Sequence, residues 1–326
     1  MGAVRKSYPR FRREGDAPRI ELTSDDLAMM LCVYRHRFIR ADDLYRLFPH
    51  RSRDRLSRRL TWLFRNKYLD RPIAQVDRFR ADAPKALVYG LDNAGARVVV
   101  EQFGVPIGSA DWRSRNRAFT RENLEHTLAV TRFMVDLELS ARSRPNVEVI
   151  QFDEILAKAP EATRRSALPM RWAVPVSWSM MRAEVQVMPD AIFGLRVRRE
   201  DGKVVQSFFF VEIDRGAMTI LPNRIARENP GFLYRATVLR KILAYAESWQ
   251  RGLHTTRFAL STARVLFLVK AWPRVDMIRS VTQEYGKALP DGFLLFGWQK
   301  EPSDPLLAAF VTTSGIETSL LANLSS

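Results

Sequence analysis

Val187-Met188-Pro189-Asp190-Ala191-Ile192-Phe193-Gly194-Leu195 decides the fold, together with Phe208-Phe209-Phe210-Val211-Glu212-Ile213-Asp214-Arg215-Gly216 a short way downstream. Each is a strongly apolar strand candidate with an acidic group at one end. The polar stretch Arg196 to Gln206 between them reads as a hairpin turn around Asp201-Gly202. Adjacent antiparallel strands joined in this way can bring Asp190 and Glu212 onto one divalent cation. Carboxylates are the hard oxygen ligands Mg²⁺ prefers, with waters and substrate phosphate completing the shell. Metal held there activates water and neutralises charge on a scissile phosphate, so the layout predicts a metal-dependent phosphodiesterase core. The competing reading is plainer: Pro-Asp opens many turns, and a Glu-x-Asp at a strand end is often solvated charge.

Working outward, the whole chain of 326 residues is 46% hydrophobic, enough for two domains with cores. Lys plus Arg number 52 against 36 Asp plus Glu, a net charge of +16. Such an excess favours a polyanionic partner, because each phosphate neutralised releases condensed counterions. Arginine dominates the basic set, and its planar fork suits phosphate. Cys32 is the single cysteine, so no disulfide can form within the chain, and a reducing cytoplasm is the expected compartment. No apolar run approaches a membrane span, and no signal-peptide core opens the sequence.

Residues 1–20 carry six basic side chains with few apolar ones and read as a flexible basic arm. Thr23-Ser24-Asp25-Asp26 signals a helix start ahead of Leu27, Met30, Leu31 and Tyr34. A short second helix fits Ala41 to Phe48. A third, from about Ser52 to Lys67, lines up Leu56, Leu60, Leu63 and Phe64 on one side, with Arg51, Arg53, Arg55, Arg58 and Arg59 around the rest. Strands at Tyr68-Ile73 and Ala86-Leu91 around a loop with Arg78 and Arg80 would form the wing of a winged helix-turn-helix. In that architecture the third helix enters the major groove and the wing touches backbone, so these seven arginines are the candidate DNA contacts. The expected domain spans 21–104, and 105–120 reads as a linker.

Residues 121–142 form a long amphipathic helix by pattern, and strands are expected at 147–152 and at Trp172-Val176, the latter kept to an edge by Pro175. Arg164, Arg165, Arg171 and Arg182 could line a phosphate approach. A helix at about 231–251, a strand at Arg264-Val269, a helix at 276–289 and a strand at Phe293-Trp298 follow, and 301–326 reads as a tail. Ser177, Ser179 and Ser207 have no partners at nucleophilic spacing. There is no Walker-type loop, no zinc-ligand spacing, and no His triad.

Pro189-Asp190 and Glu212-Ile213-Asp214 resemble the Pro-Asp…(Asp/Glu)-x-Lys signature of the restriction-endonuclease-like fold, with Asp214 where that family has its lysine. Together with Val211-Glu212-Ile213-Asp214-Arg215-Gly216 and the winged-helix-like N-terminus, these runs resemble the replication-relaxation family of plasmid proteins, which includes relatives of the MobC-type mobilisation relaxases. The resemblance implies an α+β chain, a winged helix followed by an endonuclease-like mixed-sheet domain over 121–300. It implies Asp190, Glu212 and Asp214 as ligands for Mg²⁺ or Mn²⁺. The missing lysine would be relocated to Lys241 on the following helix, or to Lys270, while Arg215 could stabilise a phosphorane. Glu125 is a further candidate ligand, His126 a recurrent family position, and Tyr234 and Tyr245 are candidate nucleophiles if the intermediate is covalent. Two readings stand: a metal-dependent nicking enzyme of plasmid or mobile-element replication, relaxation or transfer, and a catalytically inactive winged-helix accessory factor. Both imply double-stranded DNA of an origin region as partner, with a homodimer or mobilisation and replication proteins alongside.

Overall fold

In a computed structural model of the chain, the described residues are 10–13, 17–79, 86–106, 111–229, 231–286, 289–298, 304–322 and 324, with the side chains of 77–79 left aside. The chain is mixed α and β and divides into two compact units, Met1–Val135 and Asp136–Ser326.

In the first unit α1 (Ser24–His36), α2 (Ala41–Leu47) and α3 (Arg53–Arg65) follow one another, with β1 (Phe38–Arg40) between the first two. Then come β2 (Leu69–Asp70) and β3 (Val88–Leu91), and the sheet order is β1-β3-β2, antiparallel throughout. Thr23 caps α1 in a reciprocal capping box with Asp26. Leu56, Leu60, Leu63 and Phe64 are the buried face of α3, as its period requires. Next are α4 (Asn93–Phe103) and α5 (Trp112–Arg117). The segment expected to be a linker is therefore partly a packed helix. Trp112 is buried, and the buried Asn116 donates to the Leu91 carbonyl at 2.8 Å and to Asp70 at 3.0 Å. Of the expected basic arm, Arg13 is held: it donates to the Phe64 and Leu69 carbonyls and to Asp92, and lies over the Phe64 ring.

Helix α6 (Arg121–Arg142) runs across the boundary, packing Leu124 and Leu128 with Phe38 and Val88 at its first half. In the second unit β4 (Val147–Ile150), α7 (Phe152–Lys158) and α8 (Glu161–Arg164) lead to a hairpin of β5 (Trp172–Trp178) and β6 (Met181–Val187). Met181–Val187 was not expected as a strand of its own; Ala183, Val185 and Val187 alternate as its buried face. Next come β7 (Ala191–Arg198), β8 (Val204–Asp214), α9 (Arg224–Glu228), α10 (Val238–Gln250), α11 (Leu253–Phe258), β9 (Arg264–Val269), α12 (Trp272–Tyr285) and β10 (Leu294–Trp298). The expected tail supplies β11 (Phe310–Thr312) and β12 (Glu317–Thr318), which extend the sheet by antiparallel pairing.

The large sheet has the order β12-β11-β10-β9-β8-β7-β4. β4, β7 and β8 form an antiparallel run, whereas β9 lies parallel to β8 and β10 parallel to β9. A parallel neighbour needs a crossover, and α10 lies in the connection from β8 to β9. The β7–β8 turn closes where expected, with Gly202 at φ 80 and Asp201 accepting from the Lys203 amide at 2.9 Å. Gly194 is needed for close approach, since a Cβ there would stand 2.8 Å from the Phe208 ring. One apolar cluster under the sheet gathers Trp172, Phe210, Tyr245, Phe258 and Phe267.

Candidate functional site

The end of the hairpin brings the acidic groups together. Ala191 is opposite Val211 in the last pair of β7 with β8, and Asp190 immediately precedes it, close enough to Glu212 for the two charges to interact. The Asp190 amide steps out of the ladder register by donating to the Val211 carbonyl at 2.8 Å, and its Oδ2 accepts from the Ile213 amide at 2.7 Å. Asp190 is half-buried, whereas Glu212 is 2% exposed.

Helix α10 lies over this point. Thr237 caps it by accepting from the Arg240 amide at 3.1 Å, and Lys241 and Tyr245, one helical turn apart, face the same carboxylate. The Lys241 ammonium donates to Glu212 Oε2, and the Tyr245 hydroxyl donates to Oε1 at 2.6 Å. Both carboxylate oxygens are thus satisfied, as a buried charge requires.

The electrostatics follow from burial. Removal from water pushes the Glu212 carboxyl up to about 7, with Lys241 pulling down and the neighbouring Asp190 pushing further up. Burial opposes the Lys241 ammonium, but Glu212, Asp190 and Asp214 together hold its pKa above the ordinary value. Lys241 therefore stays a cation at neutral pH, and can donate but not act as a base. Burial and the Glu212 charge lift the Tyr245 hydroxyl well above its usual range, and its proton is committed to Glu212. That makes it an orienting group, not a nucleophile; Tyr234, 70% exposed, is the freer of the two tyrosines.

Asp214 lies two residues beyond Glu212, on the same face of β8, at its exit. It accepts from Arg274 at the start of α12, and its other oxygen takes the Gly216 amide at 2.8 Å. Arg274 also donates to the Met218 carbonyl. Among the described residues no three or more His, Cys, Asp or Glu side chains form a metal-ligand group. Of the expected trio, Asp190 and Glu212 are neighbours, and Asp214 is directed to Arg274. Lys270 is exposed past the end of β9, and Arg215 is exposed at the end of β8. Glu125 pairs with Arg40 at 3.9 Å within the first unit, and His126 is half-buried on α6.

The arginines of the first unit separate into two groups. Arg59 reaches across to α1, donating to Asp26 at 2.7 Å and to the Glu21 carbonyl; Asp26 is fully buried. Arg51 pairs with Asp25, and these contacts with His50 hold Asp25 below the usual carboxylate range, against its slight burial. Arg53, Arg55 and Arg58 are exposed on α3. Arg80 and the side chain of Arg78 lie outside the described residues. In the second unit Arg165 pairs with Glu161, Arg171 donates to Gln186 at 3.1 Å, and Arg164 and Arg182 are exposed. Among the described residues no helix is long and apolar enough to cross a membrane.

The model of the replication-relaxation family matches residues 31–263, more than two thirds of the chain and all of the Asp190–Glu212–Lys241 arrangement. No curated protein and no solved structure matches the chain.

Proposed function

The chain belongs to the replication-relaxation family, and from that premise we propose that it is a DNA-binding protein of a plasmid or mobile element that nicks DNA with Mg²⁺ or Mn²⁺ at an endonuclease-like centre. The observation that carries this reading is the placement of Lys241. The strand motif lacks its lysine, yet a lysine from the crossing helix reaches the same glutamate, beside the Pro-Asp aspartate.

The topology supports it: a helix, an antiparallel three-strand run, a crossover helix and a parallel strand in the order β4-β7-β8-β9. This is the plan expected of a restriction-endonuclease-like core. Asp190 and Glu212 would hold the cation through the lone pairs left beside their bonds to the Ile213 amide, Lys241 and Tyr245, with water and phosphate oxygens completing the shell. When bound, the ion supplies a more acidic water and charge neutralisation at the phosphate. Around it Lys241 donates to developing negative charge, Tyr245 fixes the Glu212 rotamer, and the Asp214–Arg274 pair keeps a guanidinium beside the exit of β8.

We assign the first unit to duplex binding. Its order of α1, β1, α2, α3, β2 and β3 is that of a winged helix, with α3 as the groove-entering helix. Arg53, Arg55 and Arg58 are the contacts on α3, and Arg51 and Arg59 brace it against α1. Replacing Arg55 and Arg58 together by alanine is expected to lower the slope of log K against log salt by about 2 for duplex DNA. A mobility-shift titration at several salt concentrations measures this, and an unchanged slope would remove α3 from the interface.

The direct test of the enzyme reading uses supercoiled plasmid carrying the gene's own neighbourhood. Open circles should appear with Mg²⁺ or Mn²⁺, disappear with chelator, and be absent with Asp190→Ala and Glu212→Ala. Duplex binding with no nicking under any metal would make the chain an accessory factor on an inactive scaffold.

A further inference from the structure

The tip of the β5–β6 hairpin is built from residues that turn chemistry does not explain. Trp178 and Met181 are the last pair of the ladder, leaving Ser179 and Met180 as a two-residue turn. Such turns favour Gly, Asn or Asp, because positive φ is needed. Here Ser179 takes φ 53, and Met180 beside it is 99% exposed. A cavity of about 380 Å³ opens at this tip, lined by Trp178, Met180 and Met181 on one side and Arg224, Arg227 and Glu228 of α9 on the other. That volume lies at the small end of ligand pockets.

The lining combines two kinds of group. Trp178 packs 5.4 Å from Phe232 and 5.5 Å from Tyr285, which fixes its ring as one wall. Arg227 lies 5.0 Å over the Tyr285 ring, and its buried Nε has no hydrogen-bond partner. Arg224 is bridged to Glu228 at 2.8 Å, so the pair of arginines leaves one net positive charge at the cavity. A flat aromatic wall, two polarizable methionines and a guanidinium with an unused donor match a planar ring joined to an anion.

We propose that this cavity holds an unpaired nucleobase of a single-stranded segment, stacked against Trp178 and the methionines, with its phosphate on Arg227. The proposal rests on the DNA-processing reading above and adds a single-strand site to it, separate from the duplex contacts of α3. Base stacking on aromatic side chains is tolerant of sequence and is typical of single-strand grooves. Arginine over an aromatic ring adds phosphate attraction at the same place.

The test is fluorescence anisotropy of a labelled oligo-dT strand with the full chain, in chelator, so that nicking plays no part. Met180→Glu puts a negative charge on a fully exposed side chain and should leave the fold intact; Arg227→Gln removes the cation. Each is expected to weaken oligo-dT binding about tenfold, with duplex binding unchanged, and an abasic strand of equal length should bind wild type more weakly than oligo-dT. Equal oligo-dT affinity in wild type and both variants would overturn the proposal, as would equal affinity for the abasic strand. Loss of single-strand binding in a protein that never nicks would uphold this site while refuting the enzyme reading.

Discussion

Lys241→Met is expected to slow metal-dependent nicking by roughly 10²- to 10³-fold, about 3–4 kcal/mol in the barrier, while duplex affinity stays unchanged. Methionine keeps the unbranched stem that packs along α10 and removes only the charge. Without the ammonium Glu212 faces burial alone, and it escapes by taking up a proton, since its carboxyl already titrates at about 7 with the lysine present. The fold therefore survives, and the loss falls on phosphate stabilisation and on the weaker hold of a protonated Glu212 on the metal. Lys241→Arg keeps a cation on α10 and should lose less than Lys241→Met. Single-turnover nicking of supercoiled plasmid measures both, and a wild-type rate for Lys241→Met would exclude Lys241 from the chemistry.

Asp26→Ala should cost the chain roughly 3 kcal/mol. That is the low end for breaking a buried ion pair, because the Arg59 partner is 29% exposed and partly screened. Asp26 accepts from the Thr23 amide at 2.7 Å, the Thr23 hydroxyl at 2.8 Å and Arg59 at 2.7 Å. Its removal thus undoes the capping box of α1 and the brace from α3 in one step. Urea unfolding followed by circular dichroism would show a lower midpoint with little change in slope. A loss under 1 kcal/mol would mean that the two helices are held by their apolar faces alone.

The contrast between these two sites shows what was legible in the chain. The β7–β8 hairpin could be read because apolar runs, a turn with Asp201-Gly202 and a fixed period of two jointly set the register, which brings the ends that carry Asp190 and Glu212 together. The resemblance offers Lys241 or Lys270 for the missing lysine, and of these Lys241 is the one in contact with Glu212. That Tyr245 shares Glu212 was not read, although the i, i+4 spacing on one helical face carried the signal. The resemblance implies Asp214 as a ligand, but its partner Arg274 lies 60 residues away on α12 and leaves no local trace. The same holds for Arg59 and Arg51: an arginine-rich helix announces charge, and only tertiary contact separates a brace from an exposed cation. β6 is masked in the sequence because Val187 runs on into the apolar stretch that leads to β7, although Ala183, Val185 and Val187 alternate in period. β11 and β12 are too short, at 3 and 2 residues, to carry a pattern.

The measurement that bears most directly on the central claim is Mn²⁺ binding by the full chain, followed by electron paramagnetic resonance at neutral pH. A cation held between Asp190 and Glu212 predicts one bound Mn²⁺ per chain in the wild type and none in Asp190→Ala or Glu212→Ala. Wild-type protein that binds no Mn²⁺, or binding that persists in both variants, would contradict it.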